Sequence, residues 1–566
     1  MEKSHSNKLQ KNQYAVQLIG PDKLVLNKSK EIISSGAHQI LCRIEAVGLC
    51  FSDLKFLKQF SSHPRKSKIL SGIDAKILDQ IPSYVPGDLP AVPGHETVIR
   101  IEEVGPCVEK YKIGERYLVQ TDYRWLTTGN SNAAFGYNFE GGLQEYVLMD
   151  ERVITSPQGD SMLIPVSENL SSSAVALIEP WACVEDAYIC KERRILKQNG
   201  KLLIVSDMQF EEEIFQELFD KYGKPAQIIW LSDFSPPDDL KEAIVKVSGV
   251  KEIEDHSCDD IIYFGSKVET AESLFVKLAA HGLFNIALCG GSFSGDVNMP
   301  VGRIHYGGIR VIGTQGNNPY ESFEYIPGTG EVREGDRINV IGAAGPMGLM
   351  HVVRNICHDI AGLSVCASDI DDTRLVRLTK IAEPLARKNN VTYKPYNSKK
   401  EQTRGTFDYT ILMTPIPALV VSSIHGASEK GIINIFAGIP AHVSVPIDLN
   451  SYIEKHLYFI GTSGSTIEDM KIVLKKVEAG RLDTNTSVAA ISGLDGAVEG
   501  IRAVENRSIA GKIIVYPSCK GMGLTTLEEL SEKVPEVAEL LNNGLWTKQA
   551  EQKLLEKCSK ITADKD

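Results

Sequence analysis

The sequence predicts an α/β protein of several domains: a β-rich N-terminal domain, two tandem doubly wound parallel α/β sheets, and a helical tail. Three observations carry this. At 566 residues the chain exceeds what one hydrophobic core holds. From about residue 195, short buried strands alternate with amphipathic helical stretches, the texture of a parallel sheet covered on both faces. That texture then restarts near 336, which makes the α/β region an internal repeat.

The N-terminal part reads as short strands broken by turns: HQILCRIEAVGLC, HETVIRIEEVG and GERYLVQ, with clean alternation over Val98-Ile99-Arg100-Ile101-Glu102. Gly48, Gly94, Gly105 and Gly114 punctuate these runs, and residues 59–93 form a long Pro-containing excursion of the kind that often carries function. A small β-rich barrel is expected.

The repeat is visible residue by residue. Leu202-Leu203-Ile204-Val205, Ile228-Ile229-Trp230-Leu231, Ile261-Ile262-Tyr263-Phe264 and Ile286-Ala287-Leu288 are the buried strands of copy one. Arg337-Ile338-Asn339-Val340-Ile341, Ser364-Val365-Cys366-Ala367, Tyr409-Thr410-Ile411-Leu412 and Ile432-Ile433-Asn434-Ile435 are those of copy two. HGLFNIALCGG (281–291) matches KGIINIFAGIP (430–440), and GRIHYGGIRVIGTQG (302–316) matches DLNSYIEKHLYFIGTSG (448–464). Each copy is about 130 residues long. NNPYESFEYIPGTGEVREGD joins them as a linker. Beyond 517, leucines at helical spacing suggest an amphipathic pair broken near Asn542-Asn543-Gly544.

Composition excludes several classes. With 61 basic and 73 acidic residues the net charge is −12, so no basic excess exists to neutralise the phosphates of a nucleic acid. The start, MEKSHSNKLQKNQ, lacks the apolar core of a signal peptide, and no run of about 18 apolar residues occurs, so neither secretion nor a membrane span is expected. Eleven cysteines, scattered and without a CxxC pair, suggest reduced thiols in a cytoplasm rather than a disulfide framework.

Three separated pieces carry the chemistry: Gly48-Leu49-Cys50-Phe51-Ser52-Asp53, Pro93-Gly94-His95-Glu96, and Ile178-Glu179-Pro180-Trp181-Ala182-Cys183. Catalytic zinc takes three protein ligands of thiolate, imidazole and carboxylate type and leaves one position open. Cys50, His95 and Glu179 supply that set, with Glu96 an adjacent alternative carboxylate. Jointly and in this order the pieces resemble the medium-chain zinc-dependent alcohol and polyol dehydrogenases. The resemblance spans most of residues 12–517, including EGGLQEYV and GKIIVYP, and has the tone of sorbose-1-phosphate reductase-like and sorbitol or threonine dehydrogenase-like members.

The resemblance implies a GroES-like catalytic domain over 1–190, completed by 466–517, a degenerate Rossmann copy over 195–316, an NAD-binding Rossmann domain over 330–465 and a helical tail over 518–566. It makes Cys50 and His95 ligands of one catalytic zinc per chain, Glu179 the third ligand (directly or through water) and Glu96 an exchanging ligand. Ser52 begins a proton relay, and Asp53 holds the histidine. Lys55 stands where the family's outer relay histidine is common. The lobe that holds four cysteines in the family has only Cys107 here, so no second zinc is expected.

Copy two opens with Val340-Ile341-Gly342-Ala343-Ala344-Gly345-Pro346-Met347-Gly348, a strand–turn–helix whose bare backbone suits a pyrophosphate. Asp369 ends the next strand about twenty residues on, where a carboxylate accepts from the adenosine ribose and favours NAD over NADP. Gly342, Ala344, Gly345, Pro346, Met347, Gly348, Asp369 and Arg374 form the expected cofactor set. The matching turn of copy one, Asp207-Met208-Gln209-Phe210-Glu211-Glu212-Glu213, has no glycine and repels phosphate with carboxylates. For copy two to serve the zinc, the linker from about 314 to 335 must reposition it beside the cleft.

The expected reaction is hydride transfer between NAD and a secondary alcohol of a polyol, sugar or sugar phosphate. Two alternatives stand beside it: an epimerase or isomerase with tightly held NAD, and a non-catalytic sensor or assembly protein. His63, Arg65 and Lys66 read either as a phosphate contact or as a solvated basic loop. A homo-dimer or homo-tetramer is expected through the edge strand near Tyr458-Phe459-Ile460.

Overall fold

The computed structural model describes residues 11–210, 213–237, 240 and 244–563. It divides into two compact units, one of residues 1–182 with 465–566 and the other of residues 183–464.

The first unit is built on an eight-stranded, mostly antiparallel sheet. Its organising strand, Gln39–Gly48, is buried for most of its length, with Ile40, Cys42 and Ile44 in one hydrophobic cluster and Val47 in another. The first half of this strand pairs with Tyr146–Asp150, its full length pairs with Glu96–Val104, and its last two residues pair with Lys512–Val515. Residues from the end of the chain therefore complete the N-terminal sheet.

The tail does more than form helices. Thr525–Thr526 adds a short strand to Val488–Ser492, and the last helix, Lys548–Ala563, sends Glu551 inward. That buried carboxylate accepts from the backbone N–H of Ser172 at 2.5 Å and of Ser173 at 2.8 Å, and from the Tyr516 hydroxyl at 2.8 Å. It satisfies the first amides of the helix Ser172–Ala176, which leads into the helix carrying Glu179. Cys519 and Cys558 form a disulfide, an exception to the expected reduced thiols, while nine other cysteines are free. The partners lie 39 residues apart and meet only because the last helix folds back over the turn after Lys512–Val515.

The second unit holds two six-stranded parallel sheets. Copy one runs Ile244–Lys246, Gln227–Ser232, Lys201–Ser206, Cys258–Phe264, Leu278–Ala287, Arg310–Thr314 across the sheet. Copy two runs Thr392–Asn397, Ser364–Asp369, Arg337–Ile341, Phe407–Leu412, Ala427–Asn434, Tyr458–Ile460. Counted along the chain, both read third, second, first, fourth, fifth, sixth, the doubly wound order that leaves a crevice at the carboxyl end of the first strand.

One hydrophobic core is shared by both copies, from Phe284 and Val311 to Tyr452 and Phe459. The edge strands Arg310–Thr314 and Tyr458–Ile460 face each other across Tyr452, whose hydroxyl donates to Val311 O at 2.9 Å and accepts from Phe459 N at 3.1 Å. Val297–Met299 pairs antiparallel with Val445–Ile447. The edge at Tyr458-Phe459-Ile460 is thus buried inside the chain (2%, 0% and 2% exposed), which corrects its expected use between chains. An edge already covered offers no backbone groups to a second molecule.

Candidate functional site

In the first unit, backbone register does the assembling. Gly48 lies opposite Glu96 in one ladder and opposite Ile514 in the other, so Cys50, His95, Glu96 and Lys512 converge at one end of the sheet. A Cβ at Gly48 would collide with Glu96 Oε2, so any other residue there would displace that carboxylate. Gly94, at φ +97°, makes the turn that presents His95 in a conformation disfavoured for other residues.

Cys50, His95 and Glu96 each offer a ligand atom, all within 4.8 Å of one another. His95 Nδ1 lies 2.8 Å from Asp53 Oδ1, which leaves Nε2 facing the cluster. Asp53 is buried, and its carboxylate outweighs the desolvation that opposes protonation, holding the His95 pKa well above the usual histidine range. Ser52 Oγ donates to Cys50 Sγ at 3.1 Å and lies 3.3 Å from His95 Nε2. Ser52 and Lys55 are exposed at the start of the helix Asp53–Gln59.

Glu96 is fully buried; Lys512 Nζ donates to its Oε1, while Oε2 has no hydrogen-bond partner. A buried carboxylate oxygen without a partner is costly, and a cation beside Cys50 and His95 would satisfy it. The donor set of thiolate, imidazole and carboxylate fits zinc. Glu179 lies outside the 4.8 Å cluster but within its field. Burial pushes its carboxyl up to about 7, with Glu96 adding to the rise and His95 opposing it. A bound cation would reverse that balance.

Lys512 is the residue that sequence reasoning passed over. It opens the strand GKIIVYP, and a lysine heading an otherwise apolar strand was the signal available. Tyr137 was also missed; its ring lies 5.2 Å from His63 and 6.0 Å from His95. The solvated-loop reading of His63, Arg65 and Lys66 is corrected, because all three turn inward. Lys66 is fully buried and donates to Leu89 O at 2.9 Å, with burial lowering its pKa to about 7. Arg65 pairs with Asp122 at 2.7 Å over the Tyr137 ring. His63 is lowered to about 4, by burial first and by the Arg65 and Lys55 charges next.

In the second unit the turn of copy two is bare. Gly342 sits at φ +83°, and Gly348 packs so closely that a Cβ would lie 2.5 Å from Gly342 O. Gly345 caps the helix Pro346–Ile356 without a side chain, and a Cβ there would meet nothing closer than 4.0 Å. Packing therefore demands glycine at 348 and leaves open space at 345. Asp369 ends its strand beside the turn, accepting from Ala344 N at 3.1 Å and from Ile370 N at 2.8 Å. Pro346 and Met347 begin the helix, and Arg374 lies 3.8 Å from Asp371 in the first turn of the next.

Copy one fills the same place. Phe210 packs at 5.1–5.5 Å against the rings of Phe215, Trp230 and Phe264. Asp207 is held by the Tyr263 hydroxyl at 2.6 Å and by Lys267 at 3.1 Å. Glu211 and Glu212 lie outside the described residues, and Glu213 begins the helix Glu213–Tyr222.

The family of alcohol dehydrogenase GroES-like domains matches residues 36–158. The uncharacterized protein YggP of Escherichia coli (strain K12) is 28% identical over 244 residues, 40% of this chain and 57% of that protein. The L-sorbose 1-phosphate reductase of Klebsiella pneumoniae is 26% identical over 258 residues, 43% of this chain and 60% of that protein. Each match thus spans less than two thirds of the relative's length. The crystal structure of 2R,3R-butanediol dehydrogenase from Bacillus subtilis matches with a TM-score of 0.50 at 14% identity, covering 89% of this chain and 100% of that one, a likeness of fold. Residues 36–158 thus match the family of alcohol dehydrogenase GroES-like domains, and the chain shares the fold of a solved alcohol dehydrogenase.

Proposed function

We propose that this protein is a zinc-dependent, NAD-linked dehydrogenase of a secondary alcohol on a polyol, sugar or sugar phosphate, working in the cytoplasm. The observation that carries the reading is the cluster of Cys50, His95 and Glu96, with Glu96 Oε2 buried and without a hydrogen-bond partner. Zinc held there, with Glu179 joining directly or through water, would polarise the substrate oxygen and ease loss of its proton. The chain's own residues do the rest. Asp53 orients His95 through Nδ1, and Lys512 holds one Glu96 oxygen while the other has no hydrogen-bond partner. Ser52, exposed beside Cys50, would take the hydroxyl proton and pass it outward, and NAD, when bound, would supply the acceptor for the carbinol hydride.

NAD is assigned to copy two alone, on Gly342, Ala344, Gly345, Pro346, Met347 and Gly348 with Asp369 toward the ribose and Arg374 nearby. The open space before Gly345 supports this, as does the aromatic filling of the equivalent turn in copy one. The sugar-phosphate arm is supported by the relative named for L-sorbose 1-phosphate. The acidic excess supports a small-molecule substrate rather than nucleic acid, and no described helix is long and apolar enough to cross a membrane. Homo-dimers or homo-tetramers would have to use surfaces other than the Tyr458–Ile460 edge.

Metal analysis by mass spectrometry tests the reading together with turnover of polyols and sugar phosphates, followed by NADH absorbance. Cys50→Ala and His95→Ala are expected to lose zinc and nearly all turnover. Ser52→Ala is expected to keep zinc and NADH binding while turnover slows. Full zinc content in the Cys50 and His95 variants would refute the assignment.

A further inference from the structure

Copy one lacks a nucleotide turn yet is packed against copy two with the geometry of a symmetric partner. The antiparallel pair is centred on Asn298 and Pro446, with Val297 opposite Ile447 and Met299 opposite Val445, so exchanging the copies returns the same pairing. The same exchange relates two further contacts. A Cβ on Gly313 of copy one would lie 2.8 Å from the Ile453 side chain, and a Cβ on the matching Gly461 of copy two would lie 3.0 Å from His305 Cα. Contacts that recur under a two-fold define an isologous interface, here inside one chain.

The symmetry breaks at the helix Gly302–Gly307. The helix Gly302–Gly307 of copy one lies against the loop after Ala427–Asn434, with His305 Nδ1 3.2 Å from Ile435 O. Tyr306 reaches over that loop so closely that a Cβ on Gly438 would lie 2.6 Å from its hydroxyl. In the matching segments, HGLFNIALCGG and KGIINIFAGIP, copy one has Cys289 where copy two has Gly438. Glycine thus stands where Tyr306 covers the loop, and cysteine at the matching position of copy one.

The position of that loop gives the contact its meaning. Asp369 marks the adenosine side of the crevice, and Gly345–Gly348 the pyrophosphate. The rest of a dinucleotide then extends to the opposite side of Arg337–Ile341. It passes the ends of Phe407–Leu412 and Ala427–Asn434, where Ala437 N donates to Leu412 O at 2.8 Å and Gly438 follows. We infer that copy one is a permanently tethered partner of copy two, and that its Tyr306 walls the nicotinamide end of the cofactor crevice. This rests on the assignment of NAD to copy two.

The test compares NADH with ADP-ribose, which keeps both riboses and lacks only the nicotinamide ring, by equilibrium titration of the full chain. Tyr306→Ala is expected to raise the NADH dissociation constant about threefold to tenfold and leave ADP-ribose unchanged. Tyr306→Phe, which keeps the ring, recovers the part due to packing. Gly438→Ala, which displaces the hydroxyl without touching Tyr306, is expected to give the same selective loss. Unchanged NADH affinity in both Tyr306→Ala and Gly438→Ala, or equal weakening of both ligands, overturns the inference while the cofactor assignment stands. If the unaltered chain binds neither ligand, the cofactor assignment fails and takes the inference with it.

Discussion

Copy one and copy two present the same strand order and the same turn position, and they use that position in opposite ways. In copy two the turn is backbone: Gly345 faces open space and Gly348 brings the helix onto the strand. In copy one the turn is side chain, with Phe210 seated among Phe215, Trp230 and Phe264 and Asp207 tied to Tyr263 and Lys267. The comparison separates two properties that are usually found together. The doubly wound sheet is held by the apolar core beneath it, which both copies share, whereas the capacity to hold a phosphate depends on a few atoms above it.

The largest effect that would break this comparison comes from Gly345→Asp. Its backbone, at φ −81°, tolerates a side chain and nothing obstructs a Cβ, so the fold should persist. The added carboxylate faces the pyrophosphate, and NADH affinity should fall about a hundredfold or more. Calorimetric titration with a parallel melting curve measures both, and undiminished binding would place the nucleotide elsewhere.

A smaller effect sharpens the other side. Phe210→Ala should cost about 2 kcal/mol in urea unfolding, less than a fully buried phenylalanine because the ring is half-buried. It should leave the stoichiometry at one NADH per chain, since emptying the turn does not supply glycine backbone. A second equivalent of bound NADH would show that the aromatic plug alone blocks copy one.

The smallest concerns the paired helices beside the internal two-fold. Asp448 caps Leu449–Glu454 by accepting from Ser451 N at 3.0 Å, whereas Val301 caps Gly302–Gly307 with no side-chain bond. Asp448→Ala should therefore cost about 1 kcal/mol. Burial would raise the Asp448 pKa, but the Ser451 hydrogen bonds outweigh it and lower the pKa from 3.8. Its stabilisation is thus present above pH 3.8 and is lost as pH falls through the lower folded value. The gap between variant and unaltered protein in denaturant titrations should close over that range. A gap constant with pH would assign the loss to packing.

How much of this was legible in the chain can be said residue by residue. The strands of both copies were readable because runs such as Leu202-Leu203-Ile204-Val205 and Val340-Ile341 are apolar on both faces, and local pattern decides that property. The turn of copy two was readable because glycine is chosen by local backbone demands. The chemistry of Cys50, His95 and Glu96 was suggested by residue types, but their convergence was not, since it depends on Gly48 lying opposite Glu96. Lys512 on Glu96 and Glu551 on the amides of Ser172 and Ser173 join residues more than 370 positions apart, and no local signal encodes such a pairing.

The sequence by itself determined the α/β class, the repeat, the glycine turn and the ligand types, because periodicity, glycine conformation and donor chemistry are properties of short segments. Tertiary structure alone decided that the edge at Tyr458–Ile460 closes on copy one, that Cys519 meets Cys558, and that Tyr306 crosses to Gly438. Each of these is a contact between surfaces built separately, and which surface meets which is fixed only when the apolar faces of the whole chain have been buried together.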